Sequence, residues 1–170
     1  MSKVDNAIAA FGIAIAIDPL LAKAYSGRGL AYILKDDRDK AIEDLSKAIE
    51  LNPTDVEYET RGWAYELKGE PDKAIADYSK AIEINPKHPS AYANRGDVYS
   101  SKGEHDKAIE DYSKEIEIGS NTGLAYCGRG NAYRSKGEHD KALNDWNIAI
   151  KLDPTLRPEI QPLIDAIKTR

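Results

Sequence analysis

The chain has 170 residues, of which 41% are hydrophobic and 31% are charged, a composition typical of a folded protein and unlike that of a disordered or collagen-like chain. Its 29 acidic and 24 basic residues give a net charge of −5. This balance argues against general binding to nucleic acid or to anionic membranes, because such binding needs a surplus of Lys and Arg. The single cysteine, Cys127, cannot form an internal disulfide, so we expect a reducing, cytoplasmic location.

The first 21 residues (1–21) match the second half of a repeat that recurs later in the chain. Two Ala-Ile pairs, Phe11 between them and a closing Asp-Pro follow the same register as residues 41–53. Because this half repeat lacks a first helix, we expect an exposed apolar patch around Ala7, Phe11 and Ala14. Either a helix of a longer parent chain or a second copy would cover this patch, and for the chain as given the sequence predicts a homodimer.

A secretory signal is the alternative for this segment. Residues 7–17 are apolar and follow Lys3, as in the hydrophobic part of a signal peptide. The acidic Asp5 and the register of the repeat favour the half repeat instead.

Four complete repeats of 33 or 34 residues follow, and a helix is predicted at the start of each. In the first repeat Tyr25, Arg28, Gly29 and Tyr32 lie at i, i+3, i+4 and i+7, the spacing of one helical face. The same residue types recur in the other repeats, so the pattern predicts a first helix over residues 22–34 and three equivalents. The repeats span residues 22–54, 55–88, 89–122 and 123–156.

A second helix is predicted in each repeat after a short polar turn. In the first repeat Ala41, Leu45 and Ala48 form its inner stripe, and a proline ends it because proline has no amide hydrogen to donate. Asp36, or a glycine in the later repeats, suits a left-handed residue in the turn. Gly29 within the first helix costs about 1 kcal/mol relative to alanine, so we expect it to permit close approach of Ala41.

This pattern resembles the tetratricopeptide repeat (TPR) family, in which an aromatic, a small residue, a Tyr, an Ala, a second aromatic and a closing Pro recur at the same spacing. The resemblance covers the four complete repeats. It implies an all-α fold, namely an α-solenoid of antiparallel helix pairs that form a right-handed superhelix. It also implies a non-enzymatic scaffold whose first helices line a concave groove for a partner protein or peptide.

An arginine on the core-facing side of each first helix recurs in step with an aspartate on the second helices. TPR repeats usually carry an aliphatic residue at the arginine position. A buried guanidinium needs a partner, so we expect structural ion pairs. The alternative, a basic stripe for phosphate or nucleic acid, is disfavoured by the equal number of aspartates. The predicted pairs join Arg28, Arg61, Arg95 and Arg129 to Asp44, Asp77, Asp111 and Asp145.

The junction of the third and fourth repeats departs from the pattern. Glu115 replaces an alanine of the other second helices, and Gly119-Ser120 replaces the proline stop. Bulk and charge at a small-residue position predict a loosened or hinged junction unless Arg95 or Arg129 compensates.

The last residues, 157–170, are predicted to form a capping helix, because a terminal repeat has no neighbour to cover its outer apolar face. We expect this helix to begin between Glu159 and Pro162 and to place four apolar residues against the fourth repeat. These are Ile160, Leu163, Ile164 and Ile167.

Residues for catalysis or metal binding do not cluster in the sequence. His105 and His139 occupy equivalent positions one repeat apart, where two side chains are too far displaced to share a metal. Cys127 is expected on a first helix away from the core stripe, as an unreactive thiol. We therefore expect no catalytic residues, no cofactor and no metal.

The groove face of the first helices differs between repeats, whereas the core face recurs, as expected where a binding surface is free to vary. The Lys, Asn and Arg clamp with which one TPR subclass holds chaperone tails is absent. Trp63 is the best anchor candidate, and the partner is expected to be a protein segment with apolar and basic residues, neither nucleic acid nor membrane. Self-assembly through the array ends is the alternative. The candidate groove residues are Leu30, Ile33, Leu34, Glu59, Trp63, Glu66, Leu67, Asn94, Asp97, Asn131 and Arg134.

Overall fold

The computed structural model describes residues 2–119 and 122–169. Ser120 of the predicted junction and Arg170 of the predicted cap lie outside the described residues. Within these ranges the chain forms ten α-helices, one short 3-10 turn and no strand, which confirms the all-α class. The helices are α1 (Lys3–Ile17), α2 (Ala22–Leu34), α3 (Arg38–Leu51), α4 (Asp55–Lys68), α5 (Pro71–Ile84), α6 (Pro89–Ser101), α7 (His105–Ile118), α8 (Gly123–Ser135), α9 (His139–Leu152) and α10 (Arg157–Lys168).

The chain divides into two compact halves, Met1–Pro86 and Lys87–Arg170. The N-terminal half holds α1 and the helix pairs α2/α3 and α4/α5. The C-terminal half holds the pairs α6/α7 and α8/α9, followed by α10. Each pair joins the predicted first and second helices of one repeat.

Hydrogen bonds between the helices of one pair show that they run antiparallel. The start of α4 meets the end of α5, where Asn85 Nδ2 donates to Asp55 Oδ2 at 2.7 Å. Towards the turn, Tyr78 donates its hydroxyl proton to Glu66 Oε2 at 2.8 Å. Residues far from the turn on one helix thus contact residues far from the turn on the other, and residues near the turn contact each other. This is the arrangement of an antiparallel hairpin, as the repeat pattern predicts.

The turn between the two helices contains one residue in the left-handed region. Asp36 has a φ of 64°, and Gly69, Gly103 and Gly137 have values of 78°, 76° and 78°. Glycine adopts this conformation freely and aspartate tolerates it. The predicted role of this position is therefore confirmed in all four hairpins.

The predicted arginine–aspartate pairs are present within the hairpins, as forked contacts. Arg61 donates through Nε and Nη2 to the two carboxylate oxygens of Asp77, at 2.7 and 2.8 Å. Its Nη1 also donates to Ser46 Oγ of α3, at 3.0 Å, and so links neighbouring hairpins. Equivalent forked pairs join Arg28 to Asp44, Arg95 to Asp111 and Arg129 to Asp145.

The glycine in each first helix faces a large side chain of the second helix. A Cβ atom added to Gly62 would lie 2.8 Å from Tyr78 Cε1, and one on Gly130 would lie 2.7 Å from Trp146 Cδ1. The expected close approach at the alanine is therefore only part of the contact. The glycine mainly makes room for the large residue one turn further along the second helix.

The C-terminal helix α10 begins at Arg157, two residues before the predicted start. Pro158 explains this difference, because proline fits the first turn of a helix, where no amide hydrogen bond is lost. Ile160 and Ile164 are buried in one cluster with Trp146 and Cys127. Cys127 is 7% exposed, so its predicted place away from the core is wrong.

Helix α1 packs on α2 through the residues that were predicted to be exposed. The ring of Phe11 fills the space beside Gly27, where an added Cβ would lie 2.3 Å from Phe11 Cζ. Ala7 and Ala14 are half-buried on the same side of α1. The exposure predicted for Ala7, Phe11 and Ala14 is therefore only partial, since α2 covers much of this face, and their role in a dimer interface stays a prediction.

A salt bridge also holds α1 against α2. Lys35 Nζ donates to Asp5 Oδ1 at 2.7 Å. Hydrogen bonds from Lys35 and then Ser2 lower the pKa of Asp5 to about 2. The exposed apolar residues of this segment lie elsewhere: Ile13, Ile17 and Leu20 are 63%, 79% and 74% exposed.

The substitution Asp77→Asn tests the structural role of the ion pairs. It leaves the guanidinium of Arg61 in a largely buried site without its charged partner. We expect the free energy of unfolding to fall by about 1–3 kcal/mol in urea denaturation. Glu83→Gln is the matched control, because the exposed Lys80–Glu83 pair at 2.6 Å should contribute no more than about 1 kcal/mol. Equal stability of Asp77→Asn and the parent chain would contradict a structural role.

Candidate functional site

The predicted groove face of the N-terminal half is largely apolar and exposed. Trp63 is 38% exposed, and Leu30, Leu34 and Leu67 are 44%, 66% and 39% exposed. These residues lie on α2 and α4, the first helices of two consecutive hairpins. They are available to a partner without any change in the core.

Ile33 does not belong to this surface. Its side chain is 6% exposed and packs in a cluster with Ala41, Leu45 and Ala64. Ala64 lies on α4, so Ile33 is held between its own hairpin and the next one. The prediction of Ile33 as a groove residue is therefore wrong.

Two polar candidates bind the large rings of their own hairpins. Tyr112 donates its hydroxyl proton to Asp97 Oδ1 at 2.6 Å, and Trp146 Nε1 donates to Asn131 Oδ1 at 3.2 Å. Asp97 and Asn131 occupy the same position in the third and fourth repeats. Their first role is thus to accept a hydrogen bond from the polar atom of a buried ring.

The two N-terminal hairpins vary this arrangement. In the first, Leu45 replaces the ring and needs no acceptor, and Leu30 occupies the position of Asp97. In the second, Trp63 occupies that position, and Tyr78 donates to Glu66 instead. The sequence carries only part of this signal: the first repeat has a leucine at both positions, whereas Tyr78 and Tyr112 accompany different groove residues.

The remaining polar candidates differ in their surroundings. The Arg134 guanidinium carbon lies 5.9 Å from the centre of the Trp146 ring, within the range of a cation–π contact. Asn94 lines a cavity of the C-terminal half, together with Asp97 and Asn131. Glu59 is a half-exposed residue of α4.

A cavity lies between consecutive first helices in each half of the chain. We call the first the α2/α4 cavity, which measures about 250 Å³, and the second the α6/α8 cavity, which measures about 450 Å³. The two occupy equivalent places in the repeats. The α2/α4 cavity is lined by Ser26, Gly27, Leu30, Leu45, Val56, Glu57 and Thr60. The corresponding residues of the α6/α8 cavity are Ala93, Asn94, Asp97, Tyr112, Leu124, Ala125 and Gly128.

The two cavities differ in chemistry because different residues of the second helix lie beneath them. Leu45 gives the α2/α4 cavity an apolar floor, whereas Tyr112 brings a hydroxyl group to the α6/α8 cavity. Glu115 also lines the α6/α8 cavity and is only 6% exposed. The departure from alanine at this position therefore adds a buried carboxyl group beside the groove face.

Burial shifts the ionisation of groups in the α6/α8 cavity. It raises the pKa of Asp97, although the hydrogen bond from Tyr112 opposes that shift. Burial and then the neighbouring Asp97 charge raise the pKa of Tyr112. Burial also raises the pKa of Cys127, which keeps the thiol protonated and unsuited to nucleophilic attack.

The described residues contain no group of three or more His, Cys, Asp or Glu side chains placed to hold a metal ion. Among the same residues, no helix is long and apolar enough to cross a membrane. The arrangement on the groove face offers apolar contacts and hydrogen bonds. It is therefore suited to binding a polypeptide segment.

Family profiles match most of the chain. One described as TPR repeat matches residues 62–103, and others described as tetratricopeptide repeat match residues 22–55, 89–118 and 123–156. A search of curated proteins gave no match.

Solved structures with the same fold include two of the protein MamA. The first is 33% identical to this chain, with 90% of each chain covered and a TM-score of 0.85. The second is 32% identical, with 92% of this chain and 86% of that chain covered and a TM-score of 0.82. A third is the structure of YrrB, a TPR protein with an unusual peptide-binding site. It is 24% identical, with 89% of this chain and 79% of that chain covered and a TM-score of 0.77. The profiles and the similarity to MamA place this chain in the tetratricopeptide repeat family, a class of helical-repeat scaffolds for protein interaction.

Proposed function

We propose that this TPR protein is a non-enzymatic, cytoplasmic scaffold that binds a segment of a partner protein along its groove face. The observation that carries the proposal is the set of exposed apolar side chains on α2 and α4. Leu30, Leu34, Trp63 and Leu67 are all more than a third exposed. Contiguous apolar residues that the core does not use commonly mark an interaction site.

Trp63 is the proposed anchor of this surface. The core-facing positions of α4 are filled by other residues, including the buried Gly62 and Ala64. Tyr78 donates to Glu66 rather than to the position that Trp63 occupies. The indole is therefore not needed to satisfy the core, and tryptophan is enriched among the residues that dominate binding energy.

The acidic residues of α4, the helix that carries Trp63, favour a partner with basic residues. Glu57, Glu59 and Glu66 all lie on α4. Opposite charges on a partner increase its association rate and select its orientation. The proposed partner segment therefore combines apolar anchors with at least one Lys or Arg.

Trp63→Ala should weaken the binding of a peptide selected on the parent chain from a random library. We expect a loss of about 2 kcal/mol or more, which is roughly thirtyfold in affinity, because an aromatic anchor is removed. Fluorescence anisotropy of the labelled peptide measures the change. Leu152→Ala is the control, since this residue is similarly exposed, at 42%, but lies on the second helix α9. Unchanged affinity of Trp63→Ala would contradict the proposed anchor.

A second proposed function is self-assembly through α1. Ile13, Ile17 and Leu20 are among the most exposed large apolar residues of the described chain. Ile13 and Ile17 are four residues apart and so lie on one helical face. We propose that this face, rather than the predicted Ala7, Phe11 and Ala14 patch, pairs with the same face of a second copy to form a homodimer.

Ile17→Glu should convert such a dimer into a monomer, because a carboxylate would be buried in the apolar contact. Size-exclusion chromatography with light scattering at micromolar concentrations measures the mass. Leu152→Glu, an exposed leucine outside α1, should leave the mass unchanged. A parent chain that is monomeric at these concentrations would contradict the assembly proposal.

A further inference from the structure

The α2/α4 cavity differs from its equivalent in one decisive residue. In the other three hairpins, the second helix carries Tyr78, Tyr112 or Trp146 at the position of Leu45, and each of these rings is at most 4% exposed. Each ring also sends a polar atom to an acceptor on its first helix. The first hairpin has neither the ring nor the polar atom.

The surroundings of Leu45 are correspondingly apolar. Leu30 and Val56 line the same cavity and are 44% and 54% exposed. Their equivalents in the α6/α8 cavity are Asp97 and Leu124. The α2/α4 cavity is therefore the apolar member of the pair and opens on the groove face.

One carboxylate stands at the edge of this cavity. Glu57 accepts hydrogen bonds from Ser26 Oγ at 3.0 Å and from the Thr54 hydroxyl. Both donors are uncharged hydroxyl groups, so these contacts hold the carboxylate in place without neutralising it. A cation that approaches the cavity would find an oriented negative charge.

We propose that the α2/α4 cavity receives an aromatic side chain of the partner segment, with a Lys or Arg next to it in the partner contacting Glu57. This inference rests on the proposed groove function and names the chemistry of its partner. The incoming ring packs on the exposed Leu30 and Val56, above the fully buried side chain of Leu45. The charge of Glu57 selects the neighbouring basic residue.

The size of the cavity fits this occupant. Its volume of about 250 Å³ exceeds the roughly 150 Å³ of an apolar cavity that binds benzene. A phenyl or phenol ring therefore fits with room for the atoms that connect it to a peptide backbone. Burial of a ring against Leu30 and Val56 removes apolar surface of both partners from water.

The cavity is tested with p-cresol, which has the side chain of tyrosine and no peptide backbone. Methyl NMR of the full chain should give saturable shifts at Leu30, Leu45 and Val56, with a dissociation constant of about 1 mM. Leu45→Phe places a ring in the cavity and should weaken the binding of p-cresol about tenfold or more. Leu152→Phe, the control, should leave the binding of p-cresol unchanged. Val56→Trp, at an exposed position of the rim, is a second variant that fills the cavity. It replaces Leu45→Phe in the test if Leu45→Phe has a lower melting temperature than the parent chain. Equal binding by the parent and both blocked variants would overturn the inference.

Peptides selected from a random library separate this inference from the proposed function. We expect the selected sequences to share an aromatic residue adjacent to Lys or Arg, and Leu45→Phe to weaken them at least about tenfold. Glu57→Gln should weaken the binding of the peptides but not that of p-cresol, because it removes the charge that contacts the Lys or Arg and leaves the apolar lining unchanged. Peptides that require Trp63 yet lack an aromatic residue, or bind Leu45→Phe as tightly as the parent, would overturn the cavity assignment and leave the groove function standing. Selection of no peptide would overturn both.

Discussion

The contact between a glycine of the first helix and a large residue of the second helix sets the geometry of each hairpin. A Cβ atom on Gly62 would lie 2.8 Å from the ring of Tyr78, so only glycine allows the two helices to approach this closely. The large residue then spans the hairpin, and its polar tip reaches the first helix near the groove face. The chemistry of the groove face is thus partly determined by the core beneath it.

The arginine–aspartate pairs join the same two helices next to this contact, since Arg61 precedes Gly62 and Asp77 precedes Tyr78. The forked hydrogen bonds of Arg61 and Asp77 have a fixed geometry, which favours one register of the two helices. A buried ion pair adds little net stability over an apolar pair of similar shape, but loss of one partner leaves the other charge unpaired. The pairs therefore penalise other arrangements of the helices more than they strengthen this one.

Much of the fold could be predicted because neighbouring repeats obey the same constraints. The helix over residues 22–34, the left-handed Asp36 and the ion pairs all follow from positions that recur. The errors arise where a first helix contacts a helix of a neighbouring repeat as well as its own second helix. Phe11 packs at Gly27 for this reason, and Ile33 is enclosed together with Ala64. A helical wheel drawn for one hairpin does not contain these contacts.

The candidate site was less predictable than the fold for a related reason. Groove positions vary from repeat to repeat, and part of that variation serves the core rather than a partner. Asp97 and Asn131 accept hydrogen bonds from Tyr112 and Trp146 of their own hairpins. Leu30 instead shares its hairpin with Leu45, which has no polar atom to satisfy. Once the groove residues that serve the core are set aside, the exposed apolar residues of α2 and α4 are left, and the proposed binding sites therefore lie on these two helices.

A double-mutant cycle between Asp97→Ala and Tyr112→Phe tests the central claim, that the groove face is coupled to the core through the tips of the rings. The free energies of unfolding of the parent, the two single variants and the double variant give the coupling energy. The hydrogen bond of 2.6 Å between these side chains predicts a coupling of about 0.5–3 kcal/mol. Additive effects, within about 0.3 kcal/mol, would contradict the claim.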